Sequence, residues 1–179
     1  GFQTREFEER LMTLGVPYRV IGGPRFYERE EIRDALAYLR LIHQSEDDLA
    51  FERIINKPAR GIGKTTVQAL HGLARSQGCA LFAAGLQLIE TDKMRPQART
   101  KLAAILGDFQ RWRRMADGLS HTDLAATMLD ESGYTNMWLT SKKPEAPGKL
   151  ENLKELLPAM AGFENLAGFL EHVSLGMEN

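Results

Sequence analysis

The chain has 179 residues, enough for one domain with its own hydrophobic core or for one domain and part of a second. Its 43% hydrophobic and 26% charged residues are ordinary for a globular protein, and no apolar run approaches the roughly 20 residues of a membrane-spanning helix. The net charge of −1 excludes a globally basic surface for nucleic acids, and the single cysteine, Cys79, excludes an internal disulfide framework and fits a reducing cytoplasm.

The first elements predicted along the chain are a helix and a short strand. Thr4 can cap a helix over residues 5–14, which Gly15 would end. Residues 17–21 alternate polar and apolar and carry β-branched side chains, which predicts a strand that ends at Gly22 and Gly23. A lone strand cannot form a stable sheet, so this pair indicates the edge of an α/β domain whose other strands lie elsewhere.

Helical periodicity dominates the rest of the sequence. Apolar residues recur at helical spacing from Glu28 to His43, and Ser45 with Asp48 predicts a capping-box start for a helix that ends before Pro58. Thr65 or Thr66 is predicted to open the next helix. Further helices are predicted over residues 80–89, 96–117, 122–131, 149–161 and 166–176, with a loop over 141–148. The predicted fold class is mainly α.

The motifs of independent catalysis are missing from the sequence. Gly63-Lys64-Thr65 looks like the end of a phosphate-binding loop, but the first glycine of that motif would fall at Pro58. The histidines have no metal-ligand spacing to one another or to Cys79, and no nucleophile motif is present. The sequence therefore predicts no catalytic residues and no metal site.

A pair of glycines ahead of a helix is the best candidate for a binding site. Gly61 and Gly63 allow positive φ and leave no Cβ, so a sugar-phosphate backbone could approach closely, and the amides of the following helix would point at an anion. Ile62 would be a buried anchor. The candidate DNA-binding residues are Lys57, Arg60, Gly61, Ile62, Gly63, Lys64, Thr65 and Thr66. The alternative is that the glycines only make a tight turn between packed helices.

Two other groups of residues invite a nucleic-acid interpretation that we do not favour. Phe26 and Tyr27 could stack on bases, but aromatic residues more often supply buried area, as we also expect for Trp112 and Trp138. The basic residues of segment 96–117 do not share one narrow helix face, so they predict a solvated helix.

Several segments together resemble one family. Residues 17–41 and 47–63 match, almost position by position, the region where UvrD/PcrA/Rep-type DNA helicases leave the second motor domain and enter the 2B insertion. Residues 3–9, 149–156 and 169–173 resemble neighbouring parts of the same family. The resemblance implies that residues 1–24 are a remnant of motor domain 2A, that residues 25–179 form a helical 2B subdomain, and that Gly22 and Gly23 are hinge candidates.

The resemblance also implies a function. The chain would be a regulatory, duplex-contacting part of a bacterial, cytoplasmic 3′-to-5′ helicase, without ATPase activity of its own and with ATP and Mg bound only by the full-length protein. Its partners would be duplex DNA or a single-strand/duplex junction and the remaining motor domains, with repair proteins left open and no membrane. The alternatives are a protein-docking, autoinhibitory module with little DNA affinity, and an unrelated stand-alone enzyme.

Overall fold

A computed structural model describes residues 24–178 of the chain. The described residues form ten helices and no strand, which confirms the mainly α prediction for this part of the chain. The predicted helix 5–14, strand 17–21 and hinge glycines Gly22 and Gly23 lie outside the described residues, and the boundary between 1–24 and 25–179 stays a prediction. None of the helices described combines the length and apolar character that a bilayer span requires.

The helices fall into two compact units, and the division lies inside a helix, between Leu36 and Ala37. Within the described residues, unit one comprises residues 24–36 and 119–178, and unit two comprises residues 37–118. In chain order the helices are α1 (Pro24–Glu28), α2 (Glu30–His43), α3 (Asp48–Ile54), α4 (Lys64–Gln77), α5 (Leu81–Leu88), α6 (Pro96–Met115), α7 (His121–Glu131), α8 (Tyr134–Leu139), α9 (Ala146–Ala161) and α10 (Leu166–Glu178).

Unit two has an aromatic core. Tyr38 of α2 stacks on Phe109 of α6, with ring centroids 5.7 Å apart. Trp112 lies edge-on to Phe109 at 4.9 Å and is fully buried. Aromatic pairs of this geometry add about 0.5–1.5 kcal/mol beyond the area they bury. Helices α3 and α4 both pack against α5, whose Phe82 meets Phe109 of this core edge-on at 6.2 Å.

Unit one has a core that includes a buried polar network. Tyr134 of α8 donates a hydrogen bond to Asp34 Oδ2 at 2.5 Å, and neither residue is exposed to solvent. Glu31 is also buried, and it accepts hydrogen bonds from Asn152 at 2.6 Å and from Lys149 at 3.4 Å. Buried carboxylates need such donors. The network therefore ties the start of α2 to α8 and α9.

Some helix boundaries differ from those predicted, for local reasons. Asp47, not Ser45, is the N-cap of α3, because its side chain accepts a hydrogen bond from Ala50 N–H at 3.0 Å. The predicted loop 141–148 is wrong at its end, since α9 begins at Ala146 with Pro147 in its first turn, where proline is tolerated. The short helices α1 and α8 were not predicted, since neither is long enough to show a helical period.

Candidate nucleic-acid interface

The predicted DNA-binding residues lie on one continuous segment that leads from α3 into α4. We call residues 57–66 the glycine turn. It begins at a cis Lys57–Pro58 peptide bond. Gly61, Gly63, Lys64 and Thr65 are exposed, Lys57, Arg60 and Thr66 are half-buried, and Ile62 is buried. The main chain from Gly61 to Thr65 is thus presented to solvent around one buried side chain.

Ile62 anchors the turn in unit two. Its side chain is only 2% exposed. The side-chain amide of Asn56 pairs with both main-chain polar groups of Ile62. Asn56 Nδ2 donates to the Ile62 carbonyl, and the Ile62 N–H donates to Asn56 Oδ1 at 3.0 Å. Buried backbone groups need such partners. The prediction that Ile62 is a buried anchor is confirmed.

The two glycines differ in conformation. Gly61 has φ of +73°, the left-handed region that favours glycine, and a Cβ added there would lie 2.7 Å from Lys101 Nζ. Gly63 has φ of −83° and ψ of 178°, an extended conformation that any residue adopts, and no described atom lies within 4 Å of a Cβ added there. The expected use of positive φ is therefore confirmed for Gly61 and wrong for Gly63.

The N-terminus of α4 opens onto the exposed side of the turn. Gly63 is the N-cap, and no side chain caps the helix. Lys64, not Thr65 or Thr66, is the first helical residue, and Val67 N–H is bonded to the Gly63 carbonyl at 3.1 Å. The amides of the first turn have no intrahelical acceptor, and the helix dipole adds partial positive charge at that end. This end of α4 therefore favours an anion.

Arg60 stabilises the glycine turn through hydrogen bonds from its guanidinium. Its Nη1 donates to the carbonyls of Ile54 and Ile55 at 2.7 and 3.0 Å, and its Nη2 donates to the Tyr38 hydroxyl. That hydroxyl in turn donates to the Lys57 carbonyl at 2.7 Å. The Ile54 carbonyl also accepts from Lys57 N–H at 3.0 Å, so the guanidinium adds a second donor there and supplies a donor to the Ile55 carbonyl at the end of α3. Arg60 is a structural residue of the site, and its contact with phosphate stays a prediction.

Lys101 of α6 also reaches the turn, and the sequence did not assign it to the site. Its ammonium lies over Gly61, 2.7 Å from the position that a Cβ would take, and the residue is exposed. Forty residues separate it from the glycine in sequence, so only the packing of α6 brings the two together. Its one signal in the sequence is membership of the basic stretch that begins at Arg95.

Comparison with known proteins places the chain in a family. The model of the UvrD-like helicase C-terminal domain matches residues 2–178. The chain belongs to this family. A DNA helicase II of Rickettsia typhi is 40% identical over 179 residues, which cover 100% of this chain and 27% of that protein. The ATP-dependent DNA helicase PcrA of Bacillus subtilis is 35% identical over 97% of this chain and 24% of its own length.

A third relative, DNA helicase II of Escherichia coli, is 33% identical over 97% of this chain and 25% of its own length. The chain thus spans about a quarter of the length of the curated relatives it matches. The helicase resemblance seen in the sequence is confirmed by these matches.

The aromatic pair of this helicase domain packs inside unit one. Phe26 and Tyr27 are 7% and 3% exposed, and their rings meet edge-on at 5.3 Å. Tyr27 also meets Phe169 of α10 edge-on at 5.9 Å. Trp112 and Trp138 are buried as well. The prediction that these aromatics supply packing and not an exposed base-stacking platform is confirmed.

The arginines of α6 point in different directions, as their spacing predicts. Arg111 pairs with Asp108 at 3.0 Å. Arg113 donates to the Leu41 carbonyl at 2.8 Å and lies 4.1 Å from the centre of the Phe82 ring. Burial lowers the pKa of Arg113 from its usual value, and Glu46 partly opposes this. Arg114 is exposed. These arginines do not form one phosphate-binding stripe.

The described residues do not fit a nucleotide site. The segment ahead of Gly63-Lys64-Thr65 is helix α3 and a turn that contains Pro58, whereas a phosphate-binding loop follows a strand. Among the residues that the structure describes, no group of three His, Cys, Asp or Glu side chains could hold a metal ion. The uncapped N-terminus of α4, with Lys64 and Lys101 beside it, fits an anion.

Proposed function

We propose that this chain is a duplex-contacting, regulatory 2B subdomain of an ATP-dependent 3′-to-5′ DNA helicase of the bacterial cytoplasm. Residues 25–179 would form the subdomain, and residues 1–24 would belong to motor domain 2A. Its partners would be duplex DNA or a single-strand/duplex junction, and the motor domains of the same helicase. The relatives named DNA helicase support this assignment, since they match across nearly the whole chain.

The conformation of Gly63 carries the proposal. Its backbone does not need glycine, and no described neighbour crowds the place of a Cβ. Yet Gly63 lies at the uncapped N-terminus of α4, where a side chain such as Ser or Asp would normally satisfy the amides. A glycine at this position leaves those amides open to a ligand from outside. A phosphate of a DNA backbone fits such a site.

The charges around the turn support a phosphate ligand. Lys64 is exposed at the first position of α4, and the Lys101 ammonium lies over Gly61. Lys57 lies at the other end of the glycine turn. Amide and lysine contacts of this kind hold the DNA backbone and carry no base information. We therefore expect binding that does not depend on sequence.

In this proposal the chain does not hydrolyse ATP. ATP and Mg would be bound by the rest of the helicase, since the residues described here do not fit a nucleotide site. The chain would contribute by touching the duplex while the motor domains move, with Gly22 and Gly23 as the proposed hinge. Measurement of ATP turnover by the purified chain tests this part, and turnover that persists after removal of contaminating helicase would contradict it.

The DNA-contact role is tested by fluorescence anisotropy of a labelled duplex with a single-stranded tail. We expect micromolar binding by the unmodified chain and loss of binding in Gly63→Asp, because a carboxylate would occupy and repel the phosphate position. Lys64→Glu should weaken binding by the same electrostatic mechanism. Gln68→Glu is the matched control, since it adds a negative charge one turn further along α4, at another exposed position.

Binding that survives in both Gly63→Asp and Lys64→Glu would contradict the proposed site. Absence of binding by the unmodified chain, even at low salt, would contradict a DNA-contact role for this part of the protein. Equal losses in Gln68→Glu and Gly63→Asp, which each add one negative charge, would mean that general charge, not the glycine turn, sets the affinity.

A further inference from the structure

The segment 24–36 of unit one, which holds α1 and the first half of α2, separates its charges onto two sides. Its sequence mixes three arginines with four acidic residues, so its composition shows no charged face. The fold turns most of the acids away from solvent. Glu31 and Asp34 are 2% and 0% exposed, and Glu30 pairs with Lys149 at 3.2 Å. Three of the four acidic side chains are therefore held by unit one itself.

The arginines of this segment stay on the outside. Arg25, Arg29 and Arg33 are all exposed and follow one another at a spacing of four residues, and we call them the arginine stripe. Arg33 N–H donates to the Arg29 carbonyl at 2.8 Å, so these two are neighbours one helical turn apart. Among the residues that the structure describes, no carboxylate pairs with any of the three guanidinium groups. Glu28 is the remaining acid of the segment, and it is exposed.

The arginine stripe fits carboxylates that are presented at a matching spacing. A guanidinium binds a carboxylate through two parallel hydrogen bonds, a geometry that a lysine ammonium does not offer. Residues four apart on a helix face lie about 5–6 Å from one another. A helix with Asp or Glu at every fourth position therefore presents its carboxylates at the intervals of the stripe.

The charge of each unit favours an acidic protein over DNA as the partner of the stripe. Within the described residues, unit one has seven Lys and Arg against 13 Asp and Glu, whereas unit two has 13 against eight. The summed charge of unit one repels an extended polyanion such as a duplex. A short acidic helix touches only the stripe, and salt screens its repulsion from charges more than about 8–10 Å away.

We propose that the arginine stripe is a docking surface for an acidic helix of a partner protein, which presents Asp or Glu at every fourth position. Arginine is enriched at protein interfaces and among the residues that dominate their affinity. Complementary charge of this kind steers the partner and fixes its register. The glycine turn belongs to unit two, and docking at the stripe does not depend on DNA binding there.

The probe is a synthetic helical peptide with Glu at every fourth position. It is titrated into the whole isotope-labelled chain at low salt, and NMR follows the arginine Nε–H signals. A peptide of the same composition, with its Glu residues distributed around the helix, is the control for spacing. Arg29→Gln/Arg33→Gln is compared with Lys142→Gln/Lys143→Gln, which removes the same charge from exposed residues of unit one.

We expect the regularly spaced peptide to shift the signals of the stripe and to bind about fivefold or more tightly than the control peptide. Its affinity should fall about fivefold or more in Arg29→Gln/Arg33→Gln, because two ion pairs are lost, and change less than about twofold in Lys142→Gln/Lys143→Gln. Glu28→Gln should strengthen binding about twofold, because it removes the exposed acid beside the stripe.

Docking is overturned if the two peptides bind equally well, or if the lysine substitutions weaken binding as much as the arginine substitutions do. A fivefold loss of duplex affinity in Arg29→Gln/Arg33→Gln, absent from Lys142→Gln/Lys143→Gln, would make the stripe a DNA contact and overturn the protein assignment. Self-association of the unmodified chain that Arg29→Gln/Arg33→Gln abolishes, seen by sedimentation, would make a second copy the occupant and overturn it too. A chain that binds the peptide as expected but no DNA overturns only the proposed function.

Discussion

At the scale of single residues, Gly61 and Gly63 differ in the reason for glycine. The backbone conformation of Gly61 requires it, whereas at Gly63 we attribute it to the proposed binding site. Gly61 has φ of +73°, so Gly61→Ala places a Cβ in the left-handed region at a cost of about 1–2 kcal/mol. The nearest atom to that Cβ is Lys101 Nζ, the far end of a flexible side chain that can withdraw. We therefore expect backbone conformation, and not a clash, to set a loss of about 1–2 kcal/mol in unfolding free energy, measured by urea denaturation.

Gly63→Ala is the control for that measurement. Its backbone is extended and no described atom lies near the added methyl group, so the gain of up to about 1 kcal/mol from a less flexible unfolded chain is offset by the weaker preference of alanine for an N-cap, and the unfolding free energy should stay close to that of the unmodified chain. If both variants lost the same unfolding free energy, the result would contradict the conclusion that only the backbone of Gly61 requires glycine.

One substitution separates the structural role of Arg60 from its proposed contact with phosphate. Arg60→Lys keeps the positive charge but cannot reproduce the fork that binds the carbonyls of Ile54 and Ile55 and the Tyr38 hydroxyl. We expect a loss of about 1–3 kcal/mol in unfolding free energy, because the Ile55 carbonyl and the Tyr38 hydroxyl lose the guanidinium donor. Unchanged stability together with weaker DNA binding would instead show that Arg60 acts on phosphate and not as a brace.

At the scale of elements, the contact of α1 with α10 predicts sensitivity to alkaline pH. Burial raises the pKa of Tyr27 from 10.0 to about 12. The phenol is then stabilised in its neutral form by folding, so its contribution is complete below pH 10 and is lost as the pH rises from 10 to 12. The expected loss is about 1.4 kcal/mol per pH unit over that window, or roughly 2–3 kcal/mol in all.

Tyr27→Phe tests this expectation, because it keeps the ring that meets Phe169 and removes the phenol. Urea unfolding at pH 8 and pH 11 should show a smaller alkaline loss for Tyr27→Phe than for the unmodified chain. Parallel pH dependence in the two proteins would mean that Tyr27 ionises as freely in the folded state as in the unfolded one.

The elements that the sequence predicted correctly are those long enough to show a period. The apolar spacing from Glu28 to His43 predicted α2 almost to its observed bounds, Glu30–His43. Helix α8 has only six residues and follows Gly133 in the left-handed conformation, so no period could appear. The start of α3 has two residues that can cap a helix, Ser45 and Asp47. Asp47 is the N-cap, because its side chain accepts the hydrogen bond from Ala50 N–H.

At the scale of the whole molecule, the site was predictable only where it is continuous in sequence. The glycine turn is one continuous stretch, so its composition was enough to predict it as a candidate site. The position of Lys101 and the hydrogen bond between Arg60 and Tyr38 depend on how α6 and α2 pack, which the sequence does not show. The division into two units falls inside α2, between Leu36 and Ala37. A continuous helical pattern carries no sign of such a boundary.

The salt dependence of DNA affinity tests the central proposal most directly. If the glycine turn neutralises roughly 3–4 phosphates, a plot of log K against log salt should have a slope near −3, and Lys64→Gln should reduce the slope by about 1. The measurement is anisotropy of a labelled junction across a salt series, repeated with a second DNA sequence that should give the same affinity. An affinity that hardly changes with salt, or that depends strongly on sequence, would contradict backbone binding at this site.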